Sequence, residues 1–180
     1  RGAMQELAIG NPDRLSTDVG PVIDADARGL IETHVAAMQA AGCAVERLPL
    51  PPACQHGSFV APTLIEINSV AQLQREVFGP VLHLLRYERE GLDALLGQIN
   101  ATGYALTLGV HTRIDETVAR VAGAARAGNV YVNRNIVGAV VGVQPFGGEG
   151  LSGTGPKAGG PLYLLRLLAA MPASATADAL

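Results

Sequence analysis

Two segments of the chain combine residue types that could bind and orient a small polar molecule. In the first segment, Glu76 is followed two positions later by Phe78 and then by the turn residues Gly79 and Pro80, which lead into an apolar stretch. A carboxylate at the mouth of a strand can accept hydrogen bonds from the hydroxyls of a ribose, and a phenyl face can pack on a nicotinamide ring. The alternative is a purely structural segment, with Glu76 at the surface and Phe78 in a core.

The second segment, residues 138–155, is a glycine-rich run that surrounds one aromatic residue, Phe146. Glycine permits positive φ and lets backbone N–H groups approach a ligand closely, an arrangement that can bind a carboxylate or a phosphate. The run lacks the GxxxxGK[ST] ending of a P-loop, and it is not a GxGxxG turn that opens a helix. A structural loop wrapped around a core is the alternative interpretation.

Side chains that commonly act as nucleophiles or metal ligands are sparse. Cys43 and Cys54, the two cysteines, have no CxxC spacing, which is typical of reduced, unreactive thiols. His56 lies two residues from Cys54, a spacing that rarely gives hydrogen-bonding geometry within a loop. The four histidines form no HExxH or HxH pattern, so we expect no metal site. We expect His34 to flank a helix and His83 to pack within a sheet.

Composition narrows the class of protein. The chain has 180 residues, is 48% hydrophobic and 16% charged, and has a net charge of −3 and no Trp. It can therefore bury a core, and the negative charge with few aromatic residues argues against nucleic-acid binding. No apolar run approaches the roughly 18 residues of a membrane span, and no export signal is evident at the N-terminus. We expect a cytoplasmic protein.

The elements that must position both segments alternate between helix and strand. Asp24 or Asp26 can cap a helix that runs to about Ala41. Strands are predicted at Cys43–Leu48, Phe59–Ile67, Val81–Tyr87, Leu106–His111 and Asn129–Asn133, and further helices at Leu92–Asn100, Asp115–Ala127 and Leu162–Leu168. This alternation predicts an α/β fold with a mainly parallel sheet flanked by helices. We expect it to occupy residues 1–168, followed by a flexible tail at 169–180.

The order of the motifs resembles the aldehyde dehydrogenase superfamily. The motifs that carry the resemblance are Gly20–Ile23, Phe59–Leu64, Glu76–Val81 and Pro145–Gly148, in that order. The run at residues 133–161 is more specific and is similar to the L-glutamate γ-semialdehyde dehydrogenase module of bacterial bifunctional proline-catabolic flavoenzymes. The resemblance extends from about Gly2 to Leu168. It implies that the α/β fold is part of an aldehyde dehydrogenase catalytic domain.

The resemblance also implies an activity, which is the NAD+-dependent oxidation of the semialdehyde to L-glutamate in proline catabolism. In that family a cysteine attacks the aldehyde, a hydride passes to NAD+, and water cleaves the thioester. By position, Glu76 would bind the nicotinamide-ribose hydroxyls and Phe78 would border the nicotinamide. Gly138 and Ala139 would donate backbone N–H groups to the substrate α-carboxylate, and Phe146 would pack against its aliphatic stem. We expect these segments to line one pocket.

The family's Gly-Gln-Arg-Cys nucleophile motif does not occur in the sequence, so no catalytic residue is assigned. The resemblance therefore implies a C-terminal part of a catalytic domain that is inactive by itself. NAD would be bound largely by the remainder of the parent polypeptide, and FAD would belong only to a separate proline dehydrogenase module. The expected partners are a small-molecule substrate and that remainder, with a homo-oligomer left open.

Two alternatives stay open at this point. One is an aldehyde dehydrogenase with a different substrate, which the selectivity of the loop from Gly138 would distinguish. The other is a non-catalytic aldehyde-dehydrogenase-like lobe that serves folding, oligomerisation or channel closure. Glu76 and Phe78 argue against the second alternative, because a purely structural lobe does not need a ribose acceptor.

Overall fold

The computed structural model describes residues 1–140, 142–153, 156–165 and 168. The chain forms two compact units, Arg1–Arg86 and Tyr87–Leu180. The helices and strands of the first unit are α1 (Gly2–Gln5), α2 (Ala25–Ala40), β1 (Ala44–Arg47), β2 (Thr63–Ile67) and β3 (Val81–Leu85). Single 3-10 turns occur at Pro52–Cys54 and Val70–Gln72.

Local sequence signals determine both ends of α2. Asp24 has an extended backbone, and its side chain accepts a hydrogen bond from the Ala27 N–H at 2.7 Å, which caps the first turn. At the other end Gly42 adopts a φ of 82°. The Gly42 N–H then donates to the Gln39 carbonyl, and the Cys43 N–H donates to the Met38 carbonyl, each at 3.0 Å. This pattern is a Schellman motif, and it requires a residue that tolerates positive φ.

The first unit is built on a three-stranded sheet in the order β1-β2-β3. β1 runs antiparallel to β2, and β2 runs parallel to β3. One face of the sheet packs against α2, and the buried core there consists of Ile31, Val35, Met38, Val60, Ile65 and Ile67. β2 is shorter than the predicted strand Phe59–Ile67, because Pro62, just before it, has no N–H to donate to a neighbouring strand.

The second unit contains two small two-stranded sheets. Its elements are α3 (Leu92–Ala101), β4 (Tyr104–Ala105), β5 (Thr107–Val110), α4 (Asp115–Ala124), β6 (Asn129–Val132) and β7 (Glu149–Gly150), with a 3-10 turn at Arg89–Gly91. β5 runs parallel to β6, and β4 runs antiparallel to β7. The helices and the β5 strand bury a small core of Leu92, Leu96 and Val121, with Leu108 and Val110 packed against it.

The α/β class is confirmed. Among the described strands, two neighbouring pairs run parallel and two run antiparallel. α4 ends at Ala124 rather than Ala127, because Ala125 is extended with ψ 132°. The helix predicted at Leu162–Leu168 is wrong over its described part, where residues 161–164 form turns. Residues 166 and 167 of that helix and the predicted tail at 169–180 lie outside the described residues. No helix in the described part of the chain is long and apolar enough to cross a membrane.

Candidate functional site

The Glu76–Phe78 segment lies between a capped 3-10 turn and β3. Ser69 caps that turn by accepting from the Ala71 N–H at 3.2 Å, and the Gln72 side chain accepts from the Ser69 N–H at 3.1 Å. Gly79 then passes directly over α2. A Cβ at Gly79 would overlap Ile31 Cδ1 and lie 3.4 Å from Ile31 Cγ1. A side chain at position 79 would therefore require the buried Ile31 side chain to shift.

The side chains of this segment alternate between core and solvent. Val77 is half-buried and packs against the core of the first unit. Glu76 is exposed, and Phe78 keeps 83% of its surface exposed. The structural alternative that placed Phe78 in a core is therefore wrong in this structure. A cavity of about 130 Å³ lies between this segment and α2, lined in part by Leu30 and His34.

His34, which lines this cavity, pairs with a second histidine that the sequence does not predict. His34 on α2 and His83 on β3 are 49 residues apart, and their Nε2 atoms lie 2.8 Å from each other. The ring centroids are 5.0 Å apart, so the two nitrogens lie nearly on the line that joins the ring centres. This geometry is that of an N–H···N hydrogen bond. One ring must donate and the other accept, so both cannot be protonated while the bond exists.

The surroundings lower the pKa of both rings below the ordinary histidine value. Burial is the main cause for the pKa of His34, and the charge of Arg75 adds to it. Burial is also the main cause for the pKa of His83, followed by the charge of His34. As the pH falls, an unfolded chain takes up these protons before the folded chain does. The contribution of the pair to stability is therefore complete above about pH 6.5 and is lost as the pH falls through the lowered pKa values.

We expect NMR titration of the 180-residue chain to give His34 and His83 pKa values below 6.5, the ordinary histidine pKa. Replacing His34 with Asn removes the neighbouring charge, so the pKa of His83 should rise toward that ordinary value. His111→Asn is the matched control and should leave the His83 pKa unchanged. Titration of either ring at or above 6.5 in the unmodified chain would contradict the lowering of its pKa.

Gly138 and Ala139, at the start of the glycine-rich run, have free space beside Gly138 and unpaired backbone N–H groups among the described residues. Gly138 and Ala139 are half-buried, and a Cβ at Gly138 would meet nothing within 4 Å. Neither N–H has a hydrogen-bond acceptor among the residues that the structure describes. Nothing in the described part of the chain therefore requires glycine at position 138, and two consecutive N–H groups are available to an acceptor from outside.

The second half of the run has a different role, because its glycines pack backbone against backbone. A Cβ at Gly153 would overlap the Gly148 carbonyl, and one at Gly148 would lie 2.8 Å from Ser152 Cβ. Gly150 has a φ of 58° and pairs with Tyr104 in the β4–β7 ladder. The structural-loop alternative therefore describes residues 147–153, whereas it does not explain Gly138.

Asn129 connects the glycine-rich run to β5 and β6, although it lies outside the motifs recognised in the sequence. Its buried Nδ2 donates to the Leu106 carbonyl at 3.1 Å and to the Gly147 carbonyl at 3.0 Å. Phe146 is half-buried and exchanges two backbone hydrogen bonds with Ala158, at 3.1 and 2.9 Å. A polar residue at the start of an otherwise apolar strand is the one sequence signal that could have identified Asn129.

Neither cysteine has the environment of a nucleophile. Cys54 is 2% exposed, and its Sγ lies 3.8 Å from the Ile9 carbonyl oxygen, to which it donates. Cys43 is half-buried, and its Sγ accepts from Gln72 Nε2 at 3.4 Å. Over the described ranges, no group of three or more His, Cys, Asp or Glu side chains is arranged to hold a metal ion.

Comparison with known proteins assigns a family to this arrangement. The model of the aldehyde dehydrogenase family matches residues 1–170. The chain belongs to the aldehyde dehydrogenase family. Within the family it is 64% identical over 180 residues to the bifunctional protein PutA of Klebsiella aerogenes, covering 97% of this chain and 14% of that relative. It is 35% identical over 174 residues to the 1-pyrroline-5-carboxylate dehydrogenase of Bacillus mycoides, covering 96% of this chain and 33% of that relative.

Solved structures of the family agree with the fold. A crystal structure of a proline utilization A variant from Bradyrhizobium japonicum superimposes with a TM-score of 0.81 at 52% identity, covering 91% of this chain and 16% of that one. A betaine aldehyde dehydrogenase variant from Staphylococcus aureus, solved in complex with NAD+, gives a TM-score of 0.75 at 27% identity, covering 88% of this chain and 32% of that one. The chain thus spans about one seventh of the length of the PutA relatives that it matches.

Proposed function

We propose that this chain is part of an NAD+-dependent aldehyde dehydrogenase that oxidises L-glutamate γ-semialdehyde to L-glutamate. The single observation that carries the substrate assignment is the open pair of backbone N–H groups at Gly138 and Ala139. Two adjacent N–H donors suit a carboxylate, which the semialdehyde carries on its α-carbon. The similarity to PutA and to 1-pyrroline-5-carboxylate dehydrogenase supports the same substrate.

The exposed side chains of the first unit fit part of a nicotinamide cofactor. The Glu76 carboxylate can accept hydrogen bonds from the two ribose hydroxyls, and the exposed Phe78 ring offers a face to the nicotinamide. Bound there, NAD+ supplies the acceptor for the hydride that leaves the aldehyde carbon. The role of these two residues is to hold the cofactor, and neither takes part in bond making or breaking.

The second unit supplies substrate contacts. The N–H groups of Gly138 and Ala139 hold the α-carboxylate, and the half-buried ring of Phe146 packs against the methylene stem. The nucleophile belongs to a part of the parent protein outside these 180 residues. In support, the buried Cys54 thiol donates to the Ile9 carbonyl and the half-buried Cys43 thiol accepts from the Gln72 side chain, and neither of these partners is a base. We expect the 180-residue chain to show no turnover by itself, and turnover that Cys54→Ala abolished would contradict this placement.

The test uses the complete protein that carries this chain. NADH formation is followed with L-glutamate γ-semialdehyde, supplied as pyrroline-5-carboxylate, and in parallel with butanal, which has no carboxylate. We expect strong preference for the semialdehyde. Comparable turnover of both aldehydes would favour a dehydrogenase with another substrate, and no turnover of either would favour a non-catalytic lobe.

The Glu76→Gln variant of the complete protein is expected to bind NAD+ about tenfold more weakly. A hydrogen bond to a charged acceptor contributes roughly 1.5 to 3 kcal/mol, and the neutral amide retains part of that interaction. Affinity is measured by titrating NAD+ and following the quenching of protein fluorescence. Glu90→Gln, which changes another exposed carboxylate, is the matched control. Unchanged affinity and unchanged turnover in Glu76→Gln would mean that Glu76 has only a structural role.

A further inference from the structure

Arg134 is held beside the open N–H pair by two contacts. It follows β6 after Asn133, a turn residue with a φ of 54°. The Asn133 side chain fixes the turn, because it accepts from the Thr112 N–H and donates to the Thr112 carbonyl, each at 2.9 Å. Beyond this turn, Arg134 Nη2 donates to the Gly138 carbonyl at 3.4 Å.

Tyr131 is the platform beneath the Arg134 guanidinium. The Arg134 Cζ atom lies 4.6 Å from the centroid of the Tyr131 ring, within the range of a cation–π interaction. Tyr131 is 7% exposed and lies in β6, so the platform is rigid. Its hydroxyl has no hydrogen-bond partner in the described part of the chain, so Tyr131 interacts with Arg134 through the face of its ring.

The carbonyl that Arg134 contacts belongs to the peptide that also carries the Ala139 N–H. The described peptides include no cis bond, so the Gly138 C=O and the Ala139 N–H point in opposite directions. A donor that fixes the carbonyl therefore fixes the direction of the N–H. Hydrogen bonds in series also polarise one another, so the bond from Arg134 makes the Ala139 N–H a stronger donor.

We propose that Arg134 is a positioning residue for carboxylate recognition, which holds the Gly138–Ala139 peptide so that its N–H faces the α-carboxylate of an amino-acid aldehyde. The inference rests on the proposed function. The contact from Arg134 gives the Gly138–Ala139 peptide a defined orientation, although the space around Gly138 is empty. Arg134 does not touch the substrate, and its effect passes through one peptide plane.

The test compares two substrates in the complete protein. In Arg134→Gln, the KM for L-glutamate γ-semialdehyde should rise about fivefold while kcat changes by less than a factor of two. The KM for butanal should not change, because butanal has no carboxylate to bind. Arg134→Lys, which keeps a charge and a donor, should restore part of the semialdehyde affinity. Arg113→Gln, another exposed arginine of the second unit, is the matched control.

The outcomes separate this inference from the function on which it rests. If the unmodified protein does not oxidise the semialdehyde, both fail. If it does and Arg134→Gln leaves the KM values of both aldehydes unchanged, the positioning role alone is overturned. An equal rise in KM for both aldehydes overturns it as well, because that result is expected of general loss of structure.

Discussion

Replacing Ala139 with proline is expected to raise the KM of the complete protein for L-glutamate γ-semialdehyde by about ten- to hundredfold. Proline has no N–H, so the substitution deletes one of the two donors proposed to bind the α-carboxylate. A hydrogen bond to a charged group contributes roughly 1.5 to 3 kcal/mol, and each 1.4 kcal/mol corresponds to a factor of about ten in affinity. No described residue accepts a hydrogen bond from this N–H, so its removal breaks no known internal contact.

The measurement is the steady-state rate of NADH formation with the semialdehyde and with butanal. Val140→Pro is the matched control, because it removes the next N–H of the same loop from an exposed residue. Val140→Pro should leave the KM for the semialdehyde within about threefold, and neither variant should change the KM for butanal. An equal effect of the two proline variants on the semialdehyde would show that loop distortion, rather than loss of a specific donor, is responsible.

Strong local signals made parts of the fold predictable. The two ends of α2 are predictable from the sequence, because each depends on one residue. Asp24 caps the first turn, and Gly42 adopts the positive φ that ends the helix. β2 is four residues shorter than predicted. The apolar run that suggested the longer strand includes Pro62, which has no N–H to donate to a neighbouring strand. The short strands β4 and β7 were missed, since two-residue pairings depend on tertiary contacts rather than on a periodic pattern.

Some residues of the candidate site were likewise predictable from the sequence, and others were not. Glu76, Phe78 and Gly138 could be chosen by their motifs, and their roles stay predictions. The His34–His83 pair could not be anticipated, because 49 residues separate its members and no sequence motif contains both. The sequence also does not show that the glycines of residues 138–155 have two different roles. Only the structure separates the open Gly138 from glycines whose backbones are in contact.

Gly128 is one of the described glycines whose replacement should cost much stability. A Cβ there would overlap the Gly147 carbonyl oxygen and lie 2.9 Å from both the Gly147 carbonyl carbon and Gly148 Cα. All three obstacles are backbone atoms, so no side-chain rotation relieves them. The Gly128 N–H also donates to the Ala105 carbonyl at 2.9 Å, which limits movement of Gly128 itself. The strain must therefore displace the Gly147–Gly148 segment.

Gly128→Ala is expected to destabilise the protein by about 3 kcal/mol, at the upper end of the cost of overpacking. Displacement of the Gly147–Gly148 segment would also separate the Gly147 carbonyl from Asn129 Nδ2, which now donates to it at 3.0 Å. We therefore expect a half-inactivation temperature several degrees lower and a higher KM for the semialdehyde. Both are measured on the complete protein, by residual NADH formation after heating and by steady-state kinetics.

Gly123→Ala is the matched control for this substitution. Gly123 lies within α4, and a Cβ there would meet nothing within 4 Å. Because alanine favours a helix by roughly 0.5 to 1 kcal/mol over glycine, this variant should be at least as stable as the unmodified protein. A Gly128→Ala variant as heat-resistant as Gly123→Ala would show that the Gly147–Gly148 segment can move freely, and the interpretation of residues 147–153 as a closely packed structural loop would then be wrong.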